Sequence, residues 1–164
     1  MKEYLRKMII NNIEIGKNVD IDISTSINNI KIYDNVKISK NCSIFGSEDN
    51  TLEIHSNTYI GMNCFINGYS NKVIIMNNVS IAQNVCIMSD SGPNASELMQ
   101  NFYPIEKASI YIGEHSWLGV NSVILPGVTL GKFCVVAANS LVKDSFDDYS
   151  VVAGNPAKLI KKLK

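Results

Sequence analysis

Aliphatic residues recur along this chain at every sixth position: Ile32, Ile38, Ile44; Ile54, Ile60, Ile66; Ile75, Ile81, Ile87; then Ile112, Leu118, Ile124, Leu130, Val136 and Val142. A second small or apolar residue stands two places earlier, as at Val36, Cys42, Cys64, Val73, Val79, Val85, Ser116, Ser122, Val128, Cys134 and Ser140. The unit reads inward, outward, inward, then three residues of corner. Corners carry Gly, Asn, Asp or Lys, as in Gly61-Met62-Asn63 and Gly131-Lys132-Phe133. A helix repeats its apolar face at about 3.6 residues, and hairpin sandwiches turn every ~8–12. Six fits neither. It fits a triangular coil of three short strands, about 18 residues per turn, whose inward side chains are buried only by stacking on neighbouring coils. The pattern predicts an all-β parallel solenoid over residues 1–155.

The phase slips near Ile27 to Ile30 and near Gly46 to Leu52, and both slips read as corner insertions. Between Ile87 and Ile110 the hexads vanish, leaving a long loop over 88–109. Long loops inside compact domains are commonly functional, and Leu98, Met99, Phe102 and Tyr103 in this one call for something to order against. After Val142 the repeat decays. Pro156 suits a first helical turn and the closing lysines suit a helix C-terminus, so residues 156–164 are expected to form a short capping helix.

Composition sharpens the picture. The 23 Ile favour strands and the 20 Asn favour left-handed corners. With zero formal net charge and 18% charged residues, nothing favours nucleic acid or an anionic membrane as partner. No run approaches the ~18 apolar residues of a membrane span. Met1 to Arg6 leads only into Met8-Ile9-Ile10, so no signal peptide is read and a cytoplasmic protein is expected. Cys42, Cys64, Cys86 and Cys134 show no C-x-x-C spacing, so they read as free thiols, not a zinc or redox site.

Ile112-Gly113-Glu114-His115-Ser116-Trp117-Leu118-Gly119, then Ile124-Leu125-Pro126-Gly127-Val128-Thr129-Leu130-Gly131, then Val152-Ala153-Gly154-Asn155-Pro156-Ala157-Lys158-Leu159-Ile160, occur in that order. Together they resemble the hexapeptide-repeat acyltransferases, in particular the sugar acetyltransferases of the maltose/galactoside and surface-polysaccharide type. The resemblance covers roughly residues 50–160. It implies a left-handed coil, a homotrimer with clefts between neighbouring subunits, acetyl-CoA as co-substrate, and a sugar as acceptor. It also implies roles. Gly119, Ala137 and Ala138 fall where small residues line the pantetheine groove. Lys158 and Lys161 fall where basic side chains meet the nucleotide phosphates, with Asn155 and Pro156 at the adenine end. Lys143 is a weaker match, because Lys143-Asp144 departs from the usual Thr-Lys. Trp117 falls beside the thioester and the acceptor, and Asn67, followed by Gly68-Tyr69, near the acceptor.

The general base is the difficulty. A sugar hydroxyl attacking a thioester ordinarily needs a positioned His. Where the resemblance expects it, this chain reads Met88-Ser89-Asp90-Ser91. The two histidines, His55 and His115, both fall in corners. Four accounts stay open: Asp90 as base, directly or through Ser91 or a water; an amine acceptor that needs mainly orientation; His115 as base despite its corner; or a protein that binds without chemistry, a solenoid scaffold. A zinc-dependent carbonic anhydrase on the same fold would need three His ligands, and no metal is expected.

Overall fold

A computed structural model describes residues 12–164; the start of the 1–155 domain, and the Met1 to Ile10 segment read for a leader, lie outside the described residues. Three parallel sheets form the sides of a solenoid of about six coils. Sheet A holds Ile13–Ile15, Ile30–Ile32, Leu52–Ile54, Val73–Ile75, Ile110–Ile112 and Thr129–Leu130. Sheet B holds Asp20–Ile21, Lys37–Ile38, Tyr59–Ile60, Ser80–Ile81, Trp117–Leu118, Val135–Val136, Ser150–Gly154 and Ala157–Lys162. Sheet C holds Ser26–Asn28, Ser43–Phe45, Phe65–Asn67, Cys86–Met88, Val123–Ile124 and Leu141–Val142. The chain visits A, B and C in turn.

The hexad explains this arrangement. Parallel pairing puts each inward aliphatic directly on its equivalent in the next coil, as in Ile38, Ile60, Ile81, Leu118, Val136 and Val152. These residues are at most 1% exposed, and each contributes roughly 1.5–3 kcal/mol by burial. Left-handed backbone turns the corners. Fourteen described non-glycine residues have positive φ, and eleven of them are Asn, whose short amide tolerates that region. Asn18, Asn35 and Asn57 are linked amide to amide at 3.2 Å between coils. Further along the same edge the ladder becomes aromatic: His115 stacks on Phe133 at 4.6 Å, and Phe133 on Tyr149 at 5.1 Å.

Cys42, Cys64 and Cys134 occupy inward positions as expected, donating their thiols to the carbonyls of Gly61, Ala82 and Asp147. All four cysteines are free, and burial pushes the Cys134 and Cys86 thiols up. No helix among the described residues is long and apolar enough to cross a membrane.

One expectation is overturned. Residues 156–164 contain no helix. The strand Ala157–Lys162 instead folds back antiparallel on Ser150–Gly154. The reason is local. Sheet B ends with a row of unpaired backbone groups, and Gly154, at φ +110°, reverses the chain beside it. Pairing satisfies that edge, whereas an isolated helix of this length is marginal. Alternation then buries Ala157 and leaves Lys158 exposed.

The 88–109 segment is structured. It leaves as Asp90–Ser91, carries the short helix α1 (Glu97–Gln100), and returns as Glu106–Lys107, antiparallel to its outgoing strand. Ser96 caps α1 by accepting the Met99 N–H. The arm is narrow at its neck: a Cβ on Gly92 would meet the Ile105 Cα at 2.7 Å.

Candidate active site

Four coils depart from the triplet corner at the same edge, the one joining sheet C to sheet A: the corner between Ile27 and Ile30 is one residue short rather than the insertion expected, and the next three are lengthened. Residues 46–51, 68–72 and 89–109 are inserted there in successive coils. The nine-residue gap from Ile66 to Ile75 is the slip that sequence reading passed over, and it was visible in the spacing.

The insertions lean on one another. Gly68 donates its N–H to Phe45 O at 2.7 Å, Ser89 to Asn67 O at 2.8 Å, and Ala108 to Ser89 O at 3.0 Å. Ser89 is fully buried, and its Oγ accepts the Asn71 N–H at 3.2 Å. It therefore pins the root of the arm, a role with no motif to announce it.

Together these segments form a cleft of about 360 Å³ lined by Phe45, Asn67, Tyr69, Ser70, Asp90, Asn94, Ile105 and Lys107. Three of the expected site residues meet here: Asn67, Tyr69 and Asp90. The Asn67 amide points its Nδ2 at Asp90 Oδ2 over 3.4 Å, long for a hydrogen bond. Asn67 Oδ1 meanwhile accepts the Tyr69 N–H at 2.8 Å, which fixes the amide's orientation. The cleft thus offers a half-buried carboxylate, an amide and an aromatic wall. Lys107, which sequence reasoning missed, stands directly opposite Asp90 in the antiparallel ribbon.

Ser91 does not line this cleft. It follows Asp90 on a strand, so its side chain projects to the other face of the ribbon, opposite Glu106. His115 lies on the edge between sheets A and B, stacked on Phe133, across the width of sheet A from Asp90.

The residues expected at the nucleotide end gather elsewhere. Gly119, Ala137 and Ala138 lie where sheet B turns into sheet C, and Asn155 and Pro156 follow the last strand at that edge. Hydrogen bonds of 2.8–2.9 Å stack Gly61 on Ile81, Ala82 on Leu118, Gly119 on Val136 and Ala137 on Val152. Gly61, Ala82, Gly119, Ala137 and Ala153 therefore form one column of small residues. A Cβ at Gly119 would come within 2.7 Å of Ala138 N, so this edge tolerates nothing larger. Trp117 projects from the adjoining outer face of sheet B and is 54% exposed. Lys158 pairs with Asp144 at 3.4 Å, while Lys161 is exposed on the same strand. Lys143, next to the Asp144 that Lys158 reaches, follows sheet C on the edge that bears Asp90.

A larger hollow of about 580 Å³ on sheet A is lined by Tyr111, Lys132, Phe146 and Asp148 among others. It brings no expected site residue together, and its Lys132 is already bound to Glu114 at 3.1 Å. Among the described residues no three metal-ligating side chains are gathered.

Comparison with known proteins agrees with this anatomy. Residues 109–144 match the bacterial transferase hexapeptide (six repeats) family. The chain is 43% identical over 72 residues to the Escherichia coli (strain K12) protein named as the lipopolysaccharide biosynthesis O-acetyl transferase WbbJ, covering 44% of this chain and 35% of that one. It is 48% identical over 56 residues to a Lysinibacillus sphaericus protein named as a macrolide acetyltransferase, covering 34% of this chain and 31% of the other. The chain spans about a third to a half of the length of the curated relatives it matches. Among solved structures, AntD, an N-acyltransferase from Bacillus cereus in complex with dTDP and 3-hydroxybutyryl-CoA, superposes with a TM-score of 0.78 at 27% identity, covering 100% of this chain and 89% of AntD. Galactoside acetyltransferase in complex with coenzyme A gives 0.71 at 27% identity, covering 84% and 66% of the two chains. Residues 109–144 thus match the bacterial transferase hexapeptide model, in a chain whose solenoid is similar to those of AntD and galactoside acetyltransferase.

Proposed function

We propose that this protein is an acetyl-CoA-dependent acetyltransferase acting on a hydroxyl or amino group of a sugar, in surface-polysaccharide or nucleotide-sugar biosynthesis. The observation that carries the reading is the cleft at the C-to-A edge, where Asp90, Asn67 and Tyr69 converge beneath an arm inserted into an otherwise regular solenoid. The likeness to AntD and galactoside acetyltransferase supports coenzyme A as the carrier. Under this reading the small-residue column admits the pantetheine arm close to backbone N–H and C=O groups, and Lys158 and Lys161 face its phosphates.

In the reaction the acceptor nitrogen or oxygen attacks the thioester carbonyl carbon. The new C–N or C–O bond forms, the C–S bond breaks, and coenzyme A leaves as a thiol after protonation. Asp90 takes the acceptor's proton, and the Asn67 amide orients the acceptor or the Asp90 carboxylate. An amine is the favoured nucleophile, because no histidine lines the cleft and a neutral amine needs orientation more than a strong base. AntD has also been solved with dTDP-4-amino-4,6-dideoxyglucose and coenzyme A, in a form substituted at a serine. Other solved forms of AntD are substituted at an aspartate.

The functional unit under this proposal is a left-handed solenoid in a homotrimer. In one protomer the cleft and the small-residue column lie on opposite margins of sheet C. Its outer face between them begins with Ser26 and Ser43 and is apolar over the last four coils, running Phe65, Cys86, Val123, Leu141, while sheet A runs Glu14, Lys31, Glu53, Ile74, Tyr111, Thr129. A second copy against sheet C brings its column to this cleft and covers Leu98 and Phe102 of the arm, each 78% exposed in one chain. The test is a thermal shift with acetyl-CoA followed by an acceptor screen read as thiol release. A ligand that binds only the native state raises its stability. No shift with acetyl-CoA would assign the protein to binding or assembly instead.

A further inference from the structure

We propose that Lys107 makes this site selective for acceptors that carry an anionic group beside the reacting sugar. The inference rests on the acetyltransferase reading above. It starts from the ribbon that roofs the cleft. Asp90 and Lys107 are directly opposed residues of an antiparallel pair, so both side chains project from the same face. Both line the cleft, and among the described residues no other charged side chain does.

Their neighbours divide the labour. Asp90 is half-buried and lies 3.4 Å from the Asn67 amide, at the inner end. Lys107 is exposed at the mouth, and no carboxylate among the described residues comes within 4 Å of its ammonium. Glu106, its neighbour, projects to the opposite face of the ribbon. Phe45 and Ile105 supply apolar wall, while Tyr69, Ser70 and Asn94 supply polar edges. That lining suits one sugar ring, apolar on its faces and hydroxylated at its rim. With the ring's nucleophile directed at Asp90, a phosphate or carboxylate attached to the ring is held on the Lys107 side of the cleft, where the ammonium offsets the neighbouring Asp90 charge. A lysine on a flexible four-carbon stem serves as a point charge for either anion, and a hydrogen bond to a charged group is worth more than one between neutral partners.

Two sources supply that anion: the diphosphate of a nucleotide-linked sugar, or the carboxylate of a sugar acid. The experiment separates them. With the full-length protein saturated with coenzyme A, calorimetry compares dTDP-4-amino-4,6-dideoxyglucose, an aminohexuronic acid and a neutral aminohexose. At least one anionic sugar is expected to bind at least about tenfold more tightly than the neutral one. Lys107→Ala should remove that preference, Lys107→Arg should retain it, and salt should weaken it. The preferred anion identifies the source. Equal affinity for all three, binding of none, or a preference that survives Lys107→Ala overturns the inference. So does a Lys107→Ala variant whose only change is a displaced pH-rate profile, since that would make the ammonium a partner of Asp90 alone. Binding of coenzyme A is scored first by thermal shift. Its absence sinks the acetyltransferase reading, whereas failure of the sugars alone sinks only the role of Lys107.

Discussion

The edge from sheet A to sheet B and the edge from sheet C to sheet A belong to the same coils and obey opposite rules. The first turns on triplets in coil after coil, with Asn18, Asn35 and Asn57 in register and His115, Phe133 and Tyr149 stacked beyond them. The second accepts six residues at 46–51, five at 68–72 and twenty-one at 89–109. The inward ladders are the same at both edges, and Ile54, Ile75, Ile66 and Ile87 are fully buried beside them. The difference teaches that the solenoid confines its irregularity to one line. Stacking demands equal coils wherever nothing else is built. A cleft needs segments longer than a corner, and only insertions placed one above another close it.

The sharpest way to break that comparison is through its one half-buried carboxylate in the cleft. With Asp90 as general base, Asp90→Asn is expected to lower kcat by at least about tenfold and up to the usual ~10²–10⁴, with little change in melting temperature; a neutral amine acceptor that needs only orientation would leave kcat nearly unchanged. His115→Ala, on the regular edge, should retain most turnover. The reverse result, turnover abolished by His115→Ala with acetyl-CoA still bound, would move the chemistry to the regular edge. On the stability side the regular ladder should dominate. Ile87→Ala is expected to cost about 2–5 kcal/mol in denaturant unfolding, and Asn84→Ala, at a φ of 58°, about 1–2 kcal/mol.

Phe102→Asp on the arm should leave the protomer folded while light scattering reports a species smaller than a trimer. A wild-type protein that is monomeric and active would refute the assembly. Lys158→Glu should weaken acetyl-CoA affinity several-fold by placing a carboxylate before phosphate. It should scarcely alter folding, because an exposed pair such as Lys158–Asp144 is worth about 0–1 kcal/mol. Unchanged affinity by calorimetry would return Lys158 to the solvated surface.

The smallest effect is on the regular edge. Hydrogen bonds from Lys132 and Asn77 hold the Glu114 carboxyl below its ordinary range. A depressed folded pKa contributes stability above the unfolded value, and that contribution fades as pH falls through the folded one. Glu114→Gln should therefore slightly lower the melting temperature at neutral pH, with the difference from the wild type closing as pH falls below about 4.5.

The repeat was legible because a six-residue period leaves a side chain only one way to face a common axis. It placed most inward aliphatics, though not Ile30, Leu52, Ile110 and Val152 beside the irregular stretches, and the three inward cysteines, and the 20 Asn announced the left-handed corners. The tail was misread because Pro156 and the lysines satisfy local rules for a helix. The decisive partner is the strand just before it, Ser150–Gly154, on which the tail folds back across Asn155 and Pro156 as an antiparallel hairpin. Asp90 was reached through its place after Ile87. Lys107 was not, since it lies seventeen residues further on and meets Asp90 only when the arm folds back.

From its own spacing, then, the chain determined a parallel solenoid, its inward faces and the coils in which it breaks step, because stacking identical units converts period directly into contact. Only the tertiary structure decided that the breaks share one edge. It alone placed Asn67, Tyr69, Asp90 and Lys107 around one cleft, left Ser91 and His115 outside it, and turned the tail into a strand. Those outcomes depend on which coil lies above which and which backbone edge is left unpaired. The first is settled by packing between segments a coil or more apart in the chain, the second by a hairpin at its end.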